Sequence, residues 1–171
     1  MLRLLLSTFN GQDPHAIHIC NGSLGKPYVS GHGLHFSLSH SSDVALIAIT
    51  NSGPIGVDIE RVRPDLGIDG FTRGLFAASE VARIESLPTG SRIRAWFQAW
   101  TRLEAVAKAS GEGLLEYVAH DSSCDSPPFR TWNIDVDKSH VGTVATPQSV
   151  TRLVYEYLPN ISSALTRFGA G

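Results

Sequence analysis

The chain is expected to fold as an α+β protein that combines strands, one antiparallel hairpin among them, with helices. Two observations carry that expectation. Residues 44–49 and 55–60 read as strands flanking the turn Asn51-Ser52-Gly53-Pro54, whereas residues 91–110 repeat apolar side chains at helical spacing. Strand character then returns three times before the end of the chain.

The first element, residues 2–9, reads as a short helix ended by Asn10-Gly11, and residues 17–20 alternate as a strand. Four glycines and a proline make residues 22–33 a loop. Residues 35–50 pass from a polar turn into an apolar strand at 44–49 of the kind that is buried. The tight turn at 51–54 predicts that this strand and strand 55–60 pair as an antiparallel hairpin, leaving Ser39 and His40 in a loop at the far end. Residues 61–70 form a connection, and helical pattern from Phe71 onward is broken at Gly74 and at Pro88-Thr89-Gly90. The long helix 91–110 has Ser91 as N-cap and Gly111 as its stop. A loop at 121–128 leads to strands at 131–136, 141–146 and 152–158.

A chain of 171 residues with 42% hydrophobic and 18% charged residues suits one globular domain. A net charge of -2 argues against a nucleic-acid binder that works through a broad basic surface. No apolar run approaches the roughly 20 residues of a membrane-spanning helix. The apolar opening, Met1 to Leu6, is followed at once by Ser7 and Thr8 and reads as a helix start, not a leader. Cys20 and Cys124 are far apart and have no metal-site spacing, so they are expected as free thiols in a reducing cytoplasm. The seven histidines lack the spacing of a metal helix.

The chemistry-bearing residues begin at Ile55-Gly56-Val57-Asp58-Ile59-Glu60. On a strand, Ile55, Val57 and Ile59 face a core while Asp58 and Glu60 stand together on the other face. Adjacent carboxylates repel and call for a cation or a proton between them. The alternative is a solvated acidic strand face. On the long helix, Ile93, Trp96, Phe97, Trp100, Leu103 and Ala107 form an apolar stripe, and Glu104 falls inside it. A carboxylate there needs a partner, and Lys108, one turn on, supplies an ordinary helix ion pair as the alternative to a metal. Three carboxylates without histidine or cysteine make a hard oxygen site, which selects Mg2+, with Mn2+ as the other fit, and implies a phosphate-bearing substrate. Lys26, beside Pro27, and the hydroxyls around His40, Ser39 among them, are suitable phosphate ligands, although a solvated lysine and a self-capping serine turn are the bland readings.

These residues resemble the motifs of the 4'-phosphopantetheinyl transferase superfamily, Sfp type. The resemblance rests on GKPYV (25–29), FSLSHS (36–41), IGVDIE (55–60), FAASE (76–80) and WTRLEAVAKASGEGL (100–114), in that order. It implies a fold of two pseudo-symmetric halves, each a small antiparallel sheet on helices, within one transferase domain. Residues 1–53 would be an abbreviated first half and 54–171 a second half with the metal site. It implies magnesium-dependent transfer of phosphopantetheine from coenzyme A to a serine of an apo acyl or peptidyl carrier protein, with release of 3',5'-ADP. By motif match, Asp58, Glu60 and Glu104 would hold the metal, Glu104 would activate the carrier serine, and Lys108 would bind the pyrophosphate. Ser39 and His40 would contact the nucleotide 3'-phosphate, with Lys26 and Pro27 at the adenylate end.

The chain departs from that pattern in two places. Leu103 stands where a lysine often precedes the helix glutamate, and the short first half leaves only Arg3 as a basic residue near the start. Either the start lies inside a longer chain or the protein is a short form, which would act as a monomer or cover Leu2, Leu4, Leu5 and Leu6 by dimerising. A carrier-docking surface is expected at Arg61, Arg63, Arg73 and Arg83 with Leu66, Ile68, Phe71 and Leu75. The competing functions are a degenerate homologue that binds carrier or coenzyme A without turnover, and an unrelated magnesium-dependent phosphohydrolase.

Overall fold

The computed structural model describes residues 1–31, 33–67, 74–120 and 129–158. Helix α1, Leu2–Asn10, ends at Gly11 as its spacing predicts and turns Leu5 and Leu6 inward. Leu6 is fully buried with Ile17, Val29, Leu34 and Phe36, and Leu2 packs against that cluster. Leu5 and Leu6 are therefore buried within the chain itself, while Leu2 and Leu4 stay partly exposed.

Strand β1, Ile19–Asn21, pairs antiparallel with β2, Pro27–Val29, a strand inside the segment read as loop. The next hairpin differs more. Strand β3, His35–Ser41, pairs with β4, Val44–Thr50, in a register that brings Ser41 opposite Val44 across a two-residue turn at Ser42 and Asp43. Ser39 and His40 thus lie within a strand and not in a loop. The predicted pairing of residues 44–49 with 55–60 is absent: strand β5, Gly56–Arg61, pairs instead with the distant β7, His140–Pro147. Strand β6, Phe129–Ile134, completes a three-stranded antiparallel sheet in the order β5-β7-β6. Residues 152–158, expected as a last strand, have no regular structure.

The reason for the changed pairing is packing. Leu46 and Ala48 of β4 lie against Ile55, Val57, Val144 and Ile134, so the β3-β4 hairpin covers a face of the sheet. A strand committed to covering a face cannot also extend the edge.

Helix α2, Ala78–Glu85, precedes the long helix α3, Thr89–Ser110, which starts two residues earlier than expected with Pro88, not Ser91, at the N-cap. Gly111 stops it in the left-handed region, φ 78°. The first half of α3 is held by aromatic packing: Trp96 stacks on Trp100 and meets Phe76 and Phe97 edge-on. The second half lies on the sheet face opposite the hairpin through Ala105, Val106 and Ala109 with Ala145. Short helix α4, Leu114–His120, follows. Among the described residues no helix is long and apolar enough to cross a membrane.

Candidate active site

Close approach of α3 to β5 builds the site. A Cβ on Gly56 would stand 1.9 Å from the Ala105 carbonyl oxygen and 2.6 Å from the Ala109 amide, so only glycine admits the helix at this depth. Two residues along, Asp58 is 4% exposed, and its cross-strand neighbour Thr143 shares a 2.9 Å hydroxyl contact with Thr101 of α3. As expected, Ile55, Val57 and Ile59 are buried on the other face. The acidic face of β5 is covered as well, however, and so the solvated reading fails at Asp58.

Lys108 reaches down from α3 to this strand. Its Nζ donates to Asp58 Oδ1 at 2.6 Å, to Ser39 Oγ at 3.3 Å and to the Val57 carbonyl at 3.3 Å. Its close ion-pair partner is therefore Asp58 and not the i-4 residue Glu104. Asp58 Oδ2 is buried and has no hydrogen-bond partner. Glu104 is half-buried, and its carboxyl is pushed above the ordinary 4.5, first by burial, then by the charge on Asp58, and further by Glu60; Lys108 opposes the shift.

Lys26, expected at the adenylate end of the nucleotide, here meets two backbone carbonyls. Its ammonium donates to the Ile55 carbonyl at 3.2 Å and to the Lys108 carbonyl, where it caps the last turn of α3. Burial lowers its pKa. Pro27 opens β2 opposite Asn21. Ser39 and His40 are separated by the alternation of β3: Ser39 turns to Asp58, with its Oγ 2.8 Å from Oδ1, while His40 is exposed.

Ser37 and Ser41, grouped above only among the hydroxyls around His40, have particular partners on β5. Ser37 Oγ accepts the Val57 amide proton at 3.1 Å. Ser41 Oγ accepts the Arg61 amide proton at 3.0 Å and lies 3.2 Å from Glu60 Oε2. Their signal was present in Ser37-x-Ser39-x-Ser41, whose period of two puts three hydroxyls on one face of a strand.

Beyond Ser41 opens a cleft of about 440 Å3 lined by Ser41, Ser42, Glu60, Arg61, Arg63 and Asp65 among others. Of the proposed docking residues, Arg63 lies over the Phe97 ring at 5.6 Å, and Leu66 packs beside Trp96 and Phe97. Arg83 is held in a two-bond pair with Glu80, which Arg102 also meets, so one carboxylate is shared between two guanidinium groups. Ile68, Phe71 and Arg73 lie outside the described residues, as does Cys124; Cys20 is a free thiol.

Among the described residues, no three acidic, histidine or cysteine side chains are already gathered around one point. The donor set nevertheless fits a divalent cation. Asp58 and Glu60 both raise the proton affinity of Glu104, Lys108 pairs with Asp58, and one buried carboxylate oxygen lacks any partner.

Comparison with known proteins shows the family. Residues 54–158 match the 4'-phosphopantetheinyl transferase superfamily. The chain is 33% identical over 120 residues to the 4'-phosphopantetheinyl transferase HetI of Nostoc sp., covering 68% of this chain and 51% of that protein. It is 32% identical over 125 residues to the transferase AcpT of Salmonella typhimurium, covering 72% and 64%. With the transferase gsp of Aneurinibacillus migulanus it shares 31% over 138 residues, 80% of this chain and 51% of that protein. The chain thus matches about half to two thirds of the length of these relatives. The matched region holds β5, α3 and every carboxylate of the site, and by it the chain belongs to the 4'-phosphopantetheinyl transferase superfamily.

Proposed function

We propose that the protein transfers the 4'-phosphopantetheine arm of coenzyme A to a serine of an apo acyl or peptidyl carrier protein, releasing 3',5'-ADP, with Mg2+ as cofactor. Family membership supports the reaction class. The observation that carries the reading is the meeting of Asp58, Glu104 and Lys108 where α3 crosses β5, with Asp58 Oδ2 left unpartnered.

Asp58, Glu60 and Glu104 would hold the cation, whose contribution is to neutralise charge on the pyrophosphate. Glu104 is suited to take the proton of the carrier serine, because burial and neighbouring carboxylates raise its affinity for a proton. The serine oxygen forms a bond to the phosphorus bearing the pantetheine, and the bond from that phosphorus to the bridging oxygen breaks. The electron pair leaves with 3',5'-ADP, and Lys108, released from Asp58, balances the charge that develops there. Arg61 and Arg63, beside the cleft, form part of a surface for an acidic carrier. The compartment proposed for the reaction is the cytoplasm.

The test is incubation with coenzyme A, Mg2+ and several apo carrier domains, read by intact mass. A phosphopantetheine adduct on the carrier is expected. No adduct on any carrier, with coenzyme A binding intact, would overturn turnover in favour of a binding homologue, and release of inorganic phosphate would favour a hydrolase.

A further inference from the structure

Strand β5 has one edge paired with β7 and one edge that faces β3 without a backbone ladder. An unpaired edge leaves amide and carbonyl groups that must find partners. Here side chains provide them. Ser37 accepts from the Val57 amide and Ser41 from the Arg61 amide, while Lys26 and Lys108 donate to the carbonyls of Ile55 and Val57. The sequence offset between bonded residues of β3 and β5 stays near 20, so the two strands run in the same direction and in step.

The three serines are not equivalent. A hydroxyl has one proton to donate and two lone pairs to accept with. Ser37 meets only backbone on β5. Ser41 accepts the Arg61 amide proton, which leaves its own proton for Glu60 Oε2. Ser39 accepts from Lys108 and donates to Asp58 Oδ1, so hydroxyl and ammonium hold the same carboxylate oxygen. The other oxygen, Oδ2, is thereby kept free and buried.

We propose that Ser39 and Ser41 are positioning residues, one for each carboxylate of β5, which orient Asp58 and Glu60 toward the divalent cation. Ser37 is the structural rung of the same ladder and serves as an internal control. The proposal rests on the reading of this site as a metal-dependent transferase. It gives Ser39 a task other than contact with a nucleotide phosphate, and gives one to Ser41, which the motif match left without any.

The experiment measures Mn2+ binding to the whole protein by electron paramagnetic resonance, without coenzyme A, for the parent and for Ser37→Ala, Ser39→Ala, Ser41→Ala, Ser39→Thr and Ser41→Thr. Thermal denaturation is recorded for each. Loss of a group that orients a metal ligand typically weakens metal binding by about 10- to 100-fold. Ser39→Ala and Ser41→Ala are expected to raise the Mn2+ dissociation constant by roughly tenfold or more. Threonine, which keeps the hydroxyl and suits a strand, should restore it. Ser37→Ala should lower thermal stability with the Mn2+ affinity unchanged.

Unchanged Mn2+ affinity in Ser39→Ala with a raised KM for coenzyme A would overturn the proposal in favour of a phosphate contact. Equal weakening in all three alanine variants would overturn it in favour of a purely structural ladder. Should Ser41→Ala not fold, Ser39→Ala decides alone, since Ser39 holds no backbone amide. A parent that binds Mn2+ but modifies no carrier refutes the transferase reading while the serine series still decides this one, whereas a parent that binds no Mn2+ in the absence of coenzyme A overturns this proposal and leaves the transferase reading to the carrier assay.

Discussion

The two edges of β5 are satisfied by different means. On one edge, six residue pairs from Gly56↔Ala145 to Arg61↔His140 join it to β7 through backbone bonds. On the other, side chains of Lys26, Ser37, Ser41 and Lys108 do the same work. A backbone ladder tolerates many side chains, because the bonding atoms belong to every residue. An edge closed by side chains depends on particular residues, and those residues then project beside Asp58 and Glu60. The edge that looks like a gap in the sheet is where the fold places its chemistry.

The largest effects should fall on the acidic groups. Asp58→Asn and Glu104→Gln are each expected to cut carrier modification by about 10^2- to 10^4-fold with circular dichroism unchanged. Substitution on the paired side, Thr143→Ser, opposite Asp58, should leave transfer near the parent rate. Similar losses at both positions would erase the distinction between the edges.

Next comes the close approach that brings α3 to the strand. Gly56→Ala places a Cβ inside the Ala105 carbonyl, so α3 must shift outward, at a cost of about 3 kcal/mol in urea denaturation and most of the transfer activity. A variant as stable as the parent would show that the helix is not seated on this glycine.

The two lysines of the free edge should then separate. Lys108→Met leaves Asp58 buried without its cation and is expected to cost about 2 kcal/mol, less than a fully enclosed pair because the Lys108 side chain is 32% exposed. Lys26→Met loses only bonds to carbonyls, about 1 kcal/mol, and should change transfer far less than Lys108→Met does. Equal losses of transfer would place Lys26 in the chemistry too.

The smallest effect is on stability against pH without metal. Folding raises the Glu104 pKa above its ordinary 4.5, so the folded state binds more protons than the unfolded one between those two values. Stability should therefore fall as pH rises through that window and stay lowered above it. In EDTA, Glu104→Gln should melt higher than the parent at pH 7.5, and the difference should fade below about pH 4.5. Added Mg2+ should favour the parent.

Much of this was readable from residue patterns. Period-two alternation placed Ile55, Val57 and Ile59 in the core, the helical repeat found α3 within two residues of its start, and Gly111 marked its end. The helix wheel put Glu104 inside the apolar stripe of α3, where a carboxylate needs a partner. Strand β3 was read as a turn, because serine more often signals local turn and cap bonds than a pleated surface, although the alternation of Ser37, Ser39 and Ser41 carried the strand period. The partner of β5 was misread because a tight turn favours pairing of neighbours in sequence, and only packing of Leu46 and Ala48 on the sheet face overrides it.

From the sequence alone followed the inventory of the site, three carboxylates and a lysine on a strand and a helix, because side-chain chemistry and backbone periodicity are local properties. The fold settled which groups meet. Lys108 could have paired with Glu104 along its own helix, and instead it reaches Asp58 across 50 residues of chain. Strand partners, edge closure and the depth at which α3 sits on Gly56 depend on distant segments packing together, and no local pattern encodes that competition.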